Sequence, residues 1–93
     1  MIEICLKQYA PVISDEKIGL EILNKIKNAL RTGDVVVDMS DVKSMATFCA
    51  KQIFGQLYKE LGSGPFYSKI KIKNANDDIK VIIRMGIVSA LND

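Results

Sequence analysis

Residues 34–61 read DVVVDMSDVKSMATFCAKQIFGQLYKEL. The run Val35-Val36-Val37 is β-branched and does not alternate, which predicts a central strand covered on both faces. Asp38 closes it in an acidic turn, and residues 41–45 form a connection. The spacing of Phe48, Cys49, Ile53, Leu57 and Leu61, widened by Phe54 and Tyr58, predicts a helix of about four turns from Thr47 to Leu61. Gly55 inside it costs about 1 kcal/mol against alanine, so a close packing contact is expected there. Ser40, Ser44 and Thr47 fall around the helix start, where free backbone N–H groups attract anions. Thr47 is expected as the N-cap.

The flanks extend the pattern. Ile2, Ile4 and Leu6 alternate with Glu3 and Cys5, which predicts a first strand. Pro11 breaks it, and Ser14 or Asp15 can cap a helix. Ile18, Ile22, Leu23, Ile26, Ala29 and Leu30 line the apolar side of that helix, and Lys17, Glu21, Asn24, Lys25 and Asn28 its wet side. Thr32-Gly33 should end it, with Gly33 left-handed. Gly62-Ser63-Gly64-Pro65 reads as a loop, and not a phosphate loop, since the lysine and following helix are missing. Lys69-Ile70-Lys71-Ile72-Lys73 alternates and predicts a strand near an edge. Asn74 or Asn76 caps a last helix with Asp77 and Asp78 in its first turn. Ile79, Ile82, Ile83, Val88 and Leu91 should supply its apolar side, with Gly86 weakening it midway. The order β-α-β-α-β-α predicts one α/β domain over 1–93, a small mixed or largely parallel sheet with packed helices.

Composition narrows the function. The chain has 93 residues, 48% of them hydrophobic, enough for one core. Thirteen basic residues against 11 acidic leave +2, too mild for a nucleic-acid surface. Histidine is absent, which removes the commonest general base and metal ligand. Cys5 and Cys49 match no zinc or redox spacing and are expected as buried free thiols. The opening MIEICLKQYA has a charge at Glu3 and no long apolar stretch, so no secretory signal is expected. No segment approaches the roughly 18 apolar residues of a membrane span. A soluble, cytoplasmic, non-enzymatic chain without cofactor or metal is the expectation. Asp38 and Asp41 could hold a metal or serve acid–base work, but carboxylates so spaced in a turn more often take backbone hydrogen bonds.

Four blocks carry a likeness: ISDEKIGLEI with Gly19, VVVDMSDV with Asp38, TFCAKQIFGQLYKELG with Phe48, Phe54 and Gly55, and KIKIKNANDDI with Asn74 and Asn76. Through them the chain resembles the STAS-like domain family of bacterial and phage proteins, relatives of the anti-sigma-factor antagonist domains. In those antagonists the central strand leads to a serine at the start of the next helix. A partner kinase of the GHKL ATPase type phosphorylates it, and the modified domain releases its partner. The comparable segment usually has two small hydroxyl residues before a phenylalanine. Here it is Met45-Ala46-Thr47-Phe48, so Thr47 keeps the second hydroxyl and Ala46 replaces the first.

The resemblance implies a regulatory protein-interaction domain with Thr47, Ser44 and Ser40 as candidate phospho-acceptors. Asp41, Lys43, Met45, Phe48, Lys51 and Gln52 are the candidate contacts with a protein partner, a GHKL-type kinase or ATPase or an anti-sigma-like regulator. Met45, if exposed, would add adaptable contact surface. Two alternatives stand beside this reading. One is a structural or oligomer-forming subunit, a homodimer in the simplest case. The other is a small nucleotide-binding module, disfavoured by the missing Gly-rich loop and nucleophile–base pair.

Overall fold

The computed structural model describes residues 1–93. Three parallel strands form the main sheet: β1 (Ile2–Cys5), β3 (Val35–Asp38) and β5 (Ile70–Lys73), in the order β1-β3-β5. Between the first two lie a 3₁₀ turn, Lys7–Tyr9, the short strand β2 (Val12–Ile13) and helix α1 (Glu16–Leu30). After β3 come the two-residue strand β4 (Ser44–Met45) and helix α2 over 47–61. The middle of α2, Lys51–Gly55, is a π-helical turn between the α-helical ends Thr47–Ala50 and Gln56–Leu61. Helix α3 (Ser63–Lys69) leads into β5, and α4 (Asp77–Leu91) closes the chain.

The valine strand is central, as its composition requires, but it is not covered on both faces. Strand order follows chain order without reversal, so right-handed crossovers put every connecting helix on one side of the sheet. Val35 and Val37 are buried on that side with Leu6, Met39 and Ile70. Val36 lies half-buried on the other, in register with Glu3 and Lys71. Cys5 shares this open face and is exposed, contrary to the buried thiol expected; Cys49 is buried. β5 pairs with β3 alone and is an edge, as its lysines forecast.

Both long helices begin on a side-chain cap. The Asp15 carboxylate accepts from the N–H groups of Lys17 (2.7 Å) and Ile18 (3.4 Å), and the Asn76 carbonyl accepts from Ile79 N–H (2.8 Å). α1 does not end on a left-handed Gly33. Gly62 is the only glycine with positive φ, and the end of α1 is held instead by Thr32, whose hydroxyl donates to Ala29 O at 3.0 Å. The segment 62–65 is not a loop either. Gly62, at φ 85°, ends α2, and α3 starts at Ser63. Pro65 fits in that first turn because its missing N–H would have had no helical partner there.

Helices α2 and α4 touch backbone to backbone. A methyl group added at Gly86 would lie 2.6 Å from Ala50 C and Lys51 N, and one at Gly55 would lie 2.7 Å from Ala90 Cβ and 2.8 Å from Gly86 O. Gly55 is therefore at the close contact its sequence position implied. Gly86 answers it from the partner helix, and the π-helical turn of α2 lies at this crossing.

Candidate functional site

The start of α2 is positioned by an element too short to carry a periodic signal. β2 and β4 pair in parallel, Val12 with Ser44 and Ile13 with Met45. Pro11 O accepts from Lys43 N–H at 2.7 Å and Ile13 O accepts from Ala46 N–H at 2.8 Å. The Asn76 amide donates to Lys43 O at 3.1 Å, tying the start of α4 to the same segment. These bonds fix where the helix begins. Ala46, with extended φ and ψ, is the N-cap, and no side chain closes the helix start. Thr47 is thus the first helical residue and not the cap that its hydroxyl suggested. It is exposed, and the N–H groups of Thr47 and Phe48 have no partner within the helix by geometry.

Phe48 does not join the apolar face of α2. The buried stripe is Cys49, Ala50, Ile53, Phe54 and Leu57, and Phe48 lies outside it with 53% of its surface exposed. Met45 is the reverse. Pairing beside Ile13 turns it into the core, where it is 2% exposed, so it is withdrawn from the contact surface. Ser44, its neighbour in the same strand, points outward and is exposed.

The turn after β3 is built around Asp38. Its carboxylate accepts from the Ser40 hydroxyl (2.6 Å), Ser40 N–H (2.9 Å) and the Asn74 amide (3.0 Å). The Ser40 hydroxyl bond, then the Asn74 bond, then the Ser40 backbone bond hold its pKa down from 3.8 to about 2, with the Lys73 charge adding to them. Ser40 is half-buried in this network and also accepts from Asn74 at 3.1 Å. Asp41 and Asn74 have φ of 67° and 61°, a region that their short polar side chains tolerate. Asp41 reaches Lys7 at 3.5 Å on the surface. Asp38 and Asp41 therefore point to different partners and do not form one carboxylate site.

Further along α2, Lys51 is paired with Asp93 at 2.8 Å, a bond that lowers the Asp93 pKa. The Gln52 amide donates to Glu16 O at 3.1 Å, while its own carbonyl oxygen is buried without a partner beside Gly19. Phe48, Lys51 and Gln52 line one shallow cleft of about 310 Å³ with Glu16, Lys59 and Asp93. Beneath it, burial and then the charges of Asp15 and Glu16 push the Cys49 thiol up, and its S–H donates to Asp15 O at 3.6 Å. A thiol held protonated is a poor nucleophile. The exposed set is therefore Thr47, Phe48, Ser44, Lys43 and Asp41, with Lys51 and Gln52 behind it.

A parallel three-stranded sheet covered on one face, with a turn and helix start presented at the carboxyl end of its middle strand, defines a STAS-like α/β domain. The family model described as STAS-like domain of unknown function (DUF4325) matches residues 19–80, and the chain belongs to that family. No curated protein and no solved structure matches it. The matched segment runs from α1 to the first turn of α4 and includes every residue around the start of α2. No helix is long and apolar enough to cross a membrane.

Proposed function

We propose that the chain is a non-enzymatic regulatory domain that binds a protein partner through the start of α2 and is switched by phosphorylation of Thr47. One observation carries this reading: Thr47 is exposed on the first turn of an uncapped helix, next to the exposed ring of Phe48. Phosphate would add about −1.5 to −2 charge and three strong acceptors. The fold tolerates that charge, because the free N–H groups and the helix dipole favour it. An apolar or acidic partner surface on Phe48 does not, since desolvation and like-charge repulsion reach several kcal/mol. A change of about 1.4 kcal/mol is already tenfold in affinity.

Ser44 is the next candidate by exposure. Ser40 ranks last, because phosphate there would remove the hydroxyl donor of its 2.6 Å bond to Asp38 and set two anions side by side. The proposed partner is a GHKL-type kinase or ATPase, or an anti-sigma-like regulator. The test is incubation with candidate kinases of that class and ATP, read by intact mass and peptide mapping. The expected result is one phosphate on Thr47. A phosphate mapping outside 40–47 rejects the site.

A further inference from the structure

We propose that the outer face of α4, with the groove between α3 and α4, is a second docking surface, which takes an acid-flanked amphipathic helix of another polypeptide. The inner side of α4 is Ile79, Ile83, Gly86, Ile87 and Ala90, all buried. At 100° per residue, the side directly opposite carries Val81, Met85 and Val88, spaced i, i+4, i+7. Each is 50% exposed. Val88 and Leu91, read from the sequence as core residues, belong to this outer surface. From Met85 to Leu91 no residue is charged. A helical stretch that is apolar all round is normally buried, and one side of Met85–Leu91 is not.

The apolar surface continues into a groove of about 460 Å³. One wall is Tyr58, Phe66 and Tyr67, whose rings pack edge to face or tilted at 5.2–6.0 Å. The other is Ile83, Ile87 and Leu91 of α4. A groove of this size receives anchoring side chains of a helix laid across it. Lys80 and Arg84 are the charged residues of its lining, and no carboxylate lines it. They stand one helical turn apart, a like-charge spacing that mildly destabilises a helix, and neither joins any of the four ion pairs of the chain. A carboxylate from outside relieves that repulsion.

The same charges disfavour a second copy as the occupant. With Met85 at heptad position a and Val81 and Val88 at d, Arg84 falls at the flanking position g. Antiparallel self-pairing that layers Met85 on Val81 sets Arg84 against its own copy. Parallel self-pairing puts Asp78, at the preceding a position, against Asp78. A partner helix that lies along 81–91 and ends short of Asp77 and Asp78, with leucine-like residues at a and d and glutamate opposite Arg84, meets neither conflict.

The proposal does not depend on Thr47. Its test uses two dye-labelled synthetic helices of about 18 residues, with leucine at a and d and either glutamate or lysine at e and g. Binding to the full chain is read by fluorescence anisotropy. The glutamate helix should bind at least about tenfold more tightly than the lysine helix, and added salt should narrow the gap. Met85→Lys should abolish binding while leaving the far-ultraviolet circular dichroism unchanged. The double substitution Lys80→Glu with Arg84→Glu should reverse the preference. Equal binding of both peptides, binding of neither, or a chain that sediments as a dimer until Met85→Lys is introduced would each overturn the proposal. So would tyrosine-fluorescence titration by decanoate with no response to either peptide.

Discussion

α1 and α4 have the same length, 15 residues each, start on the same kind of cap and both pack against α2. They differ in what they turn outward. α1 presents Lys17, Glu21, Asn24, Lys25 and Asn28, with a single exposed leucine, Leu20. Its Glu21 carboxylate and Lys25 ammonium both bond the Tyr9 hydroxyl, pinning the 3₁₀ turn to the helix. α4 presents Val81, Met85, Val88 and Leu91. The first pattern is complete within this chain. The second is a buried-helix pattern with one side uncovered, and lone exposed apolar residues are common where a stripe of four is not.

The inner contacts give the largest way to break the comparison. Gly86→Ala should cost about 3 kcal/mol, because its methyl meets backbone atoms of α2 that cannot move aside. Gly19→Ala on α1 should stay within about 1 kcal/mol of wild type. Its methyl meets only the end of the Gln52 side chain, which can swing away, and alanine favours the helix. Urea unfolding of both variants measures the difference; equal losses would mean the two helices are held alike.

The caps should differ by less. Asp15→Ala removes bonds to two N–H groups at the start of α1 and should cost about 1 kcal/mol. Asn76→Ala removes the α4 cap and the bond to Lys43 O together, and should cost about 2 kcal/mol. A smaller loss for Asn76→Ala would show that the tie to the segment before α2 contributes little.

Acid should act through the turn between the helices. The Asp38 pKa is depressed, so its contribution is complete above about pH 4 and is lost as pH falls toward 2. Asp38→Asn should flatten the stability–pH curve over that interval. Asn74→Ala, which removes one of its donors, should move the loss to higher pH. Thermal unfolding across pH 2–5 checks both signs. The smallest expected effect is on the outer surfaces: Leu20→Lys and Met85→Lys should each shift stability by no more than about 0.5 kcal/mol. A large loss confined to Met85→Lys would mean that α4 is already covered by another copy.

Much of this was legible in residues 34–61. Three valines mark the middle strand, and the helix boundaries at Thr47 and Leu61 hold. A valine run cannot report how many faces a sheet has covered. That depends on strand order, which local sequence does not encode, and Val36 is half-buried for that reason. β2 and β4 are two residues each, below any period, so the ladder that buries Met45 and makes Ala46 the cap was missed. The spacing assigns Phe48 to the apolar face, and the buried stripe starts one residue later, at Cys49. Gly-Ser-Gly-Pro suggests a loop unless Pro65 is counted into a first helical turn. In α4 the spacing assigns Val88 and Leu91 to the buried side, whereas Ile87 and Ala90 are buried and those two are exposed; the helix has more apolar residues than one face can bury, and that surplus is the signal in the sequence.

Under the proposed function Thr47 acts on a partner and not on the fold. The most direct measurement of this is the affinity of the proposed partner, a GHKL-type ATPase, for wild type, Thr47→Ala and Thr47→Glu, with unfolding curves run beside it. All three chains should be folded alike, Thr47→Ala should bind as wild type does, and Thr47→Glu should bind at least about tenfold more weakly. Equal affinity for all three would contradict control at that position.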